Sequence, residues 1–245
     1  MPRIVGTDMN IMHIAGNGNF HFSAIRPDVL GATEYTLVTL VTDRSGSVAN
    51  FSDDIDKMED EVIKSCSKSP RSDNLMIRRV HFNHTVIEEN GFVPLSLLPL
   101  IKPVSCGGNT ALFDAVYTSI EATLSYADTL QKNDYTVNGV IFIITDGDDN
   151  ASINTEPMIL KLMEEAIKSE RIESLHTILI GVNDTDLRLK KYLEDFVRRC
   201  KLSSYESLGK VDAESLAKLA QFISKSISSQ SQSLGSGAAS QLLTI

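Results

Sequence analysis

The chain has 245 residues, 42% of them hydrophobic, enough to enclose one sizeable core with a small appendage. Acidic residues outnumber basic ones 32 to 23, and the formal charge of −9 argues against a non-specific grip on nucleic-acid phosphates or anionic membranes. No basic segment leads into an apolar run at the N-terminus, no stretch nears the ~20 apolar residues of a membrane span, and Cys66, Cys106 and Cys200 lack disulfide-framework or zinc-ligand spacing, so the expectation is a cytoplasmic protein with reduced thiols.

Residues 11–25, "IMHIAGNGNFHFSAI", are two apolar-rich segments around Gly-Asn-Gly, which predicts an N-terminal β-hairpin. From residue 36 to about 228, apolar strand-like runs alternate with amphipathic helical patterns. That is the pattern of a doubly wound, Rossmann-like α/β sandwich with a mostly parallel central sheet. "TLVTLVT" (36–42), "GVIFIIT" (139–145) and "LHTILIG" (175–181) are nearly all apolar and β-branched, as expected of central strands covered on both faces. "LMIRRVHF" (75–82) and "HTVIEE" (84–89) are more polar and separated only by Asn83, predicting a tight hairpin whose second strand is an antiparallel edge. Helical spacing joins Phe51, Ile55, Met58, Val62 and Cys66, then Val116, Ile120 and Leu124, then Leu189, Leu193, Phe196 and Cys200. Cys66, Cys200 and Met58 read as core filler. After Ile227 the chain turns rich in Ser, Gly and Gln, predicting a flexible tail that ends in "LLTI". The expected division is therefore 1–35, an extension with the hairpin; 36–228, the α/β domain; and 229–245, the tail.

Three loops carry the chemistry. "TDRSGS" follows the run 36–42 and sets Asp43, Ser45 and Ser47 two residues apart; "TDGDDN" follows 139–145 and sets Asp146 at a second strand end. Ligands of open α/β sheets collect at the carboxyl ends of strands where the strand order reverses, so Asp43 and Asp146 converge if those strands are neighbours. A third loop, "SCGGNTALFDAV" (105–116), supplies Thr110 where a helix should begin. Five oxygen donors without nitrogen or sulfur suit a hard cation, and the share of hydroxyls favours Mg²⁺ or Mn²⁺ over Ca²⁺. Asp148 and Asp149 read as solvated loop carboxylates before a second cation site, Asp114 as a helix-face residue or outer acceptor, and His81 and His84 as polar edge-strand residues before a transition-metal pair. His13, His21 and His176 form no constellation in the sequence.

"DRSGS", "GGNTALFDA" and "ITDGDDN", in this order at alternating strand ends, closely resemble the metal-ion-dependent adhesion site of von Willebrand factor type A domains, over roughly residues 36–228. The resemblance, to an intracellular bacterial or phage-like type, implies hydroxyl ligands at Ser45, Ser47 and Thr110, and carboxylates binding directly or through water at Asp43 and Asp146. It also implies a Mg²⁺-dependent adaptor or scaffold module that ligates an Asp or Glu of a partner protein, with Arg44, Asn109 and Asn150 choosing the partner. Two other readings stand beside it: a metal-dependent hydrolase, with Cys106 the one candidate nucleophile but no histidine in the three loops, and a structural subunit of a larger assembly with a loop-stabilising metal.

Overall fold

The computed structural model describes residues 8–14, 19–100, 104–168, 171–237 and 241–245. Within them, β1 (Met9–His13), β2 (His21–Ile25), β3 (Glu34–Asp43), β4 (Leu75–Phe82), β5 (Val86–Pro94), β6 (Thr136–Thr145), β7 (Leu175–Val182) and β8 (Ser204–Gly209) form one sheet in the order β1-β2-β5-β4-β3-β6-β7-β8. The helices are α1 (Ser52–Cys66), α2 (Leu112–Gln131), α3 (Glu156–Lys168), α4 (Leu187–Cys200) and α5 (Ala213–Ser236). Alternation along each strand divides the interior into two cores. Leu37, Val41, Ile141, Ile143 and Leu179 face α2, α3 and α4, while Val38, Leu40, Val140, Phe142 and Ile180 face α1 and α5. The chain is thus the expected α/β sandwich, with parallel pairing through β4, β3, β6, β7 and β8.

The switch point lies between β3 and β6. From β3 the chain crosses through α1 to β4 on one side; from β6 it crosses through α3 to β7 on the other. Because α1 and α3 cover opposite faces, the loops after β3 and β6 must part at the top of the sheet, and the cleft between them is where ligands gather in such folds.

Three sequence expectations change. The antiparallel strand β5 pairs with β4 as predicted, but it is not an edge: β2 lies beside it in parallel, with Ala24 opposite Phe92, and β1 closes that side of the sheet. The polar residues that suggested an edge are internal partners. Arg78, fully buried, donates from Nε to Glu88 Oε2 at 2.7 Å and lies 6.0 Å over the rings of both Phe22 and Phe92. Glu88 Oε1 in turn accepts from Ser23 N at 2.8 Å and Ser23 Oγ at 2.7 Å, stitching the hairpin to the sheet.

The hairpin itself pairs antiparallel from Met9↔Ile25 to His13↔His21, and its predicted Gly-Asn-Gly turn lies outside the described residues. The second change is at the C-terminus. Helix α5 continues through Ser236, so residues 229–236 are not the start of a flexible tail. Low apolar content misled there because small serines let the helix lie close: Ser226, Ser231 and Ser233 are buried, and Asn138 of β6 donates to the Gln230 carbonyl at 2.8 Å. The third is β8, "SYESLG", a mostly half-buried strand with too little alternation to be read from sequence.

Candidate functional site

Asp43 is the last residue of β3 and is completely buried. Its carboxylate is fixed from two sides: Oδ1 accepts from the Ser45 backbone N–H at 2.7 Å, and Oδ2 accepts from Thr145 Oγ1, at the end of neighbouring β6, at 2.7 Å. The first bond is the local turn that a D-x-S sequence favours, the aspartate accepting from the backbone two residues on. It folds the loop back so that Ser45 Oγ and Ser47 Oγ stand 3.1 Å apart. Ser47 Oγ then donates to Asp146 Oδ1 at 2.6 Å, closing the gap between two loops 99 positions apart in sequence.

The third loop is tied to both of the others by backbone. Gly46 N–H donates to the Gly108 carbonyl at 3.2 Å and Gly107 N–H to the Arg44 carbonyl at 2.9 Å. Gly108 has φ +80°, and a side chain there would strike the imidazole of His84, so glycine is required on both counts. Thr110 N–H donates to Asn150 Oδ1 at 2.8 Å, and its carbonyl accepts from the N–H groups of Asn150 and Ala151 at 3.0 and 3.2 Å. A Cβ placed on Gly147 would sit 3.6 Å from Thr110 Oγ1, which puts that hydroxyl against the loop carrying Asp146. Helix α2 has no side-chain cap of its own. Its leading N–H groups are satisfied by the third loop's neighbour instead: Phe113 N–H donates to Asp149 Oδ1 and Asp114 N–H to Ser152 Oγ.

All five predicted residues therefore meet at the top of β3 and β6. Burial raises the Asp43 carboxyl above its ordinary range, its hydrogen bonds opposing the shift. Burial pushes Asp146 up to about 6, with the Asp43 charge adding to the rise. Two carboxylates held above their ordinary range by burial, flanked by three hydroxyls, make a site that a hard cation would neutralise. Among the described residues no group of three or more His, Cys, Asp or Glu side chains is arranged to hold a metal.

Other expectations separate here. Arg44 is buried, its guanidinium directed to Asp56 and the Ser52 carbonyl of α1, so it anchors the first loop from below and cannot face a partner. Asn109 is exposed as expected, and Asn150, also exposed, spends its carboxamide oxygen on Thr110. Asp149 belongs to the α2 terminus, and Asp114 clamps the following loop, accepting from Asn154 N–H at 2.8 Å and from the Asn154 side chain at 2.7 Å. His81 is buried against Glu89, not at a polar edge, and burial together with Arg44 and Arg79 pushes it down to about 3. Thr145 is the participant the sequence reading missed, although it stands next to Asp146 in the quoted motif. A cavity of about 420 Å³ lined by Asp146, Gly147, Asp148, Asp186, Leu189 and Tyr192 opens beside the site.

Beneath Arg44 lies Glu59 of α1, buried and accepting from Thr42 Oγ1 at 2.9 Å. Burial pushes its carboxyl up to about 7, against the opposing pull of Arg44, Thr42 and Arg79 and with a further push from Asp56. With the folded value above the unfolded one, its contribution to stability is fully present below about pH 4.5 and is lost as pH rises through about 7. His81 acts with the opposite sign between about 3 and 6.5 and blunts the net curve, so the comparison must be with a variant. Glu59→Gln, which mimics the protonated form, is expected to gain roughly 2–3 kcal/mol on the wild type between about pH 5 and pH 8 in urea denaturation. A difference that stays constant across that range would show that Glu59 does not titrate there.

No family model matches the chain, and no curated protein does. Its fold is similar to solved structures at low identity. One is the D319A mutant of the PilB minor pilin from Streptococcus sanguinis, at 13% identity and TM-score 0.57 over 92% of this chain and 68% of that one. Another is the pilus adhesin SpaC from Lactobacillus rhamnosus GG in its open conformation, at 12% and 0.55 over 91% of this chain and 34% of that one. A third is proximal thread matrix protein 1 from the mussel byssus, at 16% and 0.51 over 82% of this chain and 48% of that one. The chain thus spans about a third of the adhesin and about half of the mussel protein, and at these identities the likeness is one of fold.

Proposed function

We propose that this chain is a von Willebrand factor type A module that binds a partner protein through a divalent cation held by Asp43, Ser45, Ser47, Thr110 and Asp146. The observation that carries the reading is the convergence of these five oxygen-bearing side chains from three loops at one strand switch point, with Ser47 bridging to Asp146 at 2.6 Å. Mg²⁺ or Mn²⁺ bound there would supply an electrophile with a position open to an anionic oxygen. The residues present do the rest. Thr145 and the Ser45 N–H hold the Asp43 carboxylate at a fixed angle, Asn150 fixes the Thr110 backbone, and the neutral hydroxyls leave much of the ion's charge for an incoming Asp or Glu.

The adjoining cavity, with Leu189 and Tyr192 on one wall, offers apolar surface to the residues flanking that carboxylate. No catalytic role is part of the proposal. Cys106, the one nucleophile near the loops, packs against the apolar cluster beneath them. Affinity purification in Mg²⁺ and again in EDTA tests the reading. A partner should be retained only with the ion, be lost from Thr110→Ala, and depend on a single Asp or Glu in an alanine scan of that partner. Retention indifferent to both EDTA and Thr110→Ala would put the contact elsewhere.

A further inference from the structure

The N-terminal hairpin carries a second arrangement of ligating side chains, unrelated to the oxygen site. His13 of β1 and His21 of β2 are directly opposed in the antiparallel register, both are exposed, and their ring centroids are 4.2 Å apart at 63° between planes. We propose that this cross-strand pair is a chelating site for a borderline divalent transition-metal ion of the Ni²⁺, Cu²⁺ or Zn²⁺ class.

Neutral imidazole is the side chain these ions favour, with metal–nitrogen distances of about 2.0–2.1 Å. Two rings whose centroids are 4.2 Å apart already bring their nitrogens within reach of one such ion by rotation about side-chain torsions alone. Directly opposed antiparallel positions hold Cβ atoms about 4.5–5.5 Å apart, so the backbone need not move to close the chelate. His13 Nδ1 lies 3.4 Å from the Ile14 carbonyl. In the tautomer protonated there, that contact turns Nδ1 inward and leaves the Nε2 lone pair as the outward ligand. The scaffold behind the pair is rigid. Ile14 and Phe22, the neighbours of the two histidines in sequence, are buried in the main core, and the Ile14 N–H donates to the Phe20 carbonyl at 2.9 Å. Exposure on the outer side leaves the ion's remaining positions to water.

The two donor sets are on different parts of the sheet: five hard oxygens at the top of β3 and β6, two imidazoles on the β1–β2 hairpin at one side. The test is calorimetric titration of the untagged full chain with NiCl₂. The oxygen site proposed above would take Ni²⁺ as well, so the measurement is made in the Asp43→Ala background, where one equivalent should still bind. His13→Ala and His21→Ala should each weaken binding on the order of 100-fold, because removing one ring turns an intramolecular second contact into none. Both histidines are exposed, so in that background the metal-free His variants should melt with Asp43→Ala itself, and Ni²⁺ should raise the melting temperature only where both histidines are present. Paramagnetic broadening confined to the His13 and His21 ring protons would place the ion directly. Failure of Ni²⁺ to bind, undiminished binding in the double His variant, or loss of binding in Asp43→Ala would each overturn the proposal.

Discussion

Asp43→Ala is expected to abolish binding of Mg²⁺ or Mn²⁺ in calorimetric titration and to remove any rise in melting temperature on adding the ion. Two losses combine. The variant lacks one of the two carboxylates in the donor set, and it lacks the acceptor that folds Ser45 back over the strand end at 2.7 Å, so the hydroxyls of Ser45 and Ser47 lose their fixed spacing. Stability without metal should change little by comparison. Leaving the Ser45 N–H unpaired costs about 1–3 kcal/mol, the Thr145 hydroxyl keeps its 3.4 Å contact with the Gly147 carbonyl, and relief from burying a carboxyl whose ionisation burial already opposes offsets part of the cost. Asp43→Asn separates the contributions: it can keep the backbone bond while removing the charge, so residual weak binding in Asn and none in Ala would rank charge against geometry. Binding undiminished in both would remove Asp43 from the site.

Gly91→Ala should be among the most damaging single substitutions away from the loops, lowering stability on the order of 3 kcal/mol. A methyl at position 91 of β5 would fall inside the contact radius of the Ser23 carbonyl and hydroxyl on β2. Ser23 cannot easily yield, because its N–H and hydroxyl are both committed to Glu88, and Glu88 is committed to buried Arg78. The chain must therefore either strain β5 or lift the hairpin, exposing Phe22 and Ala24. Urea denaturation gives the magnitude, and amide exchange through residues 20–25 distinguishes the two outcomes. A change within about 0.5 kcal/mol would mean the seam is softer than its hydrogen bonds suggest.

The sequence reveals most where one physical demand acts alone. Strands β3, β6 and β7 are covered on both faces, so their apolar runs are unbroken and legible, and the switch point follows from their order. The convergence of Asp43 and Asp146 is legible for the same reason: each directly follows such a run, and the two strands are neighbours. Where two demands compete, the signal fails. Arg78, Arg79, His81, Glu88 and Glu89 look like a solvent edge, yet Arg78, Arg79 and His81 are buried, and the two arginines meet half-buried Glu88 and Glu89 on the adjacent strand. The serines of α5 look like a linker because small size, which close helix packing needs, and polarity, which disorder favours, come in the same side chain. The His13–His21 contact depended on register. The strand pairing from Met9↔Ile25 to His13↔His21 sets that register.

Among the described residues the hairpin's neighbour in the sheet is β5, which follows it by more than sixty residues, so synthesis and docking fall in different order. At about 5–20 residues per second, roughly 3–14 s separate translation of Ile25 from that of Pro94. For that interval Phe22, Ala24 and Ile25 have no sheet to cover them on a nascent chain whose first strands are already made. The hairpin strands β1 and β2 therefore gain most from a holding chaperone, or from fast elongation, before β5 emerges to receive them.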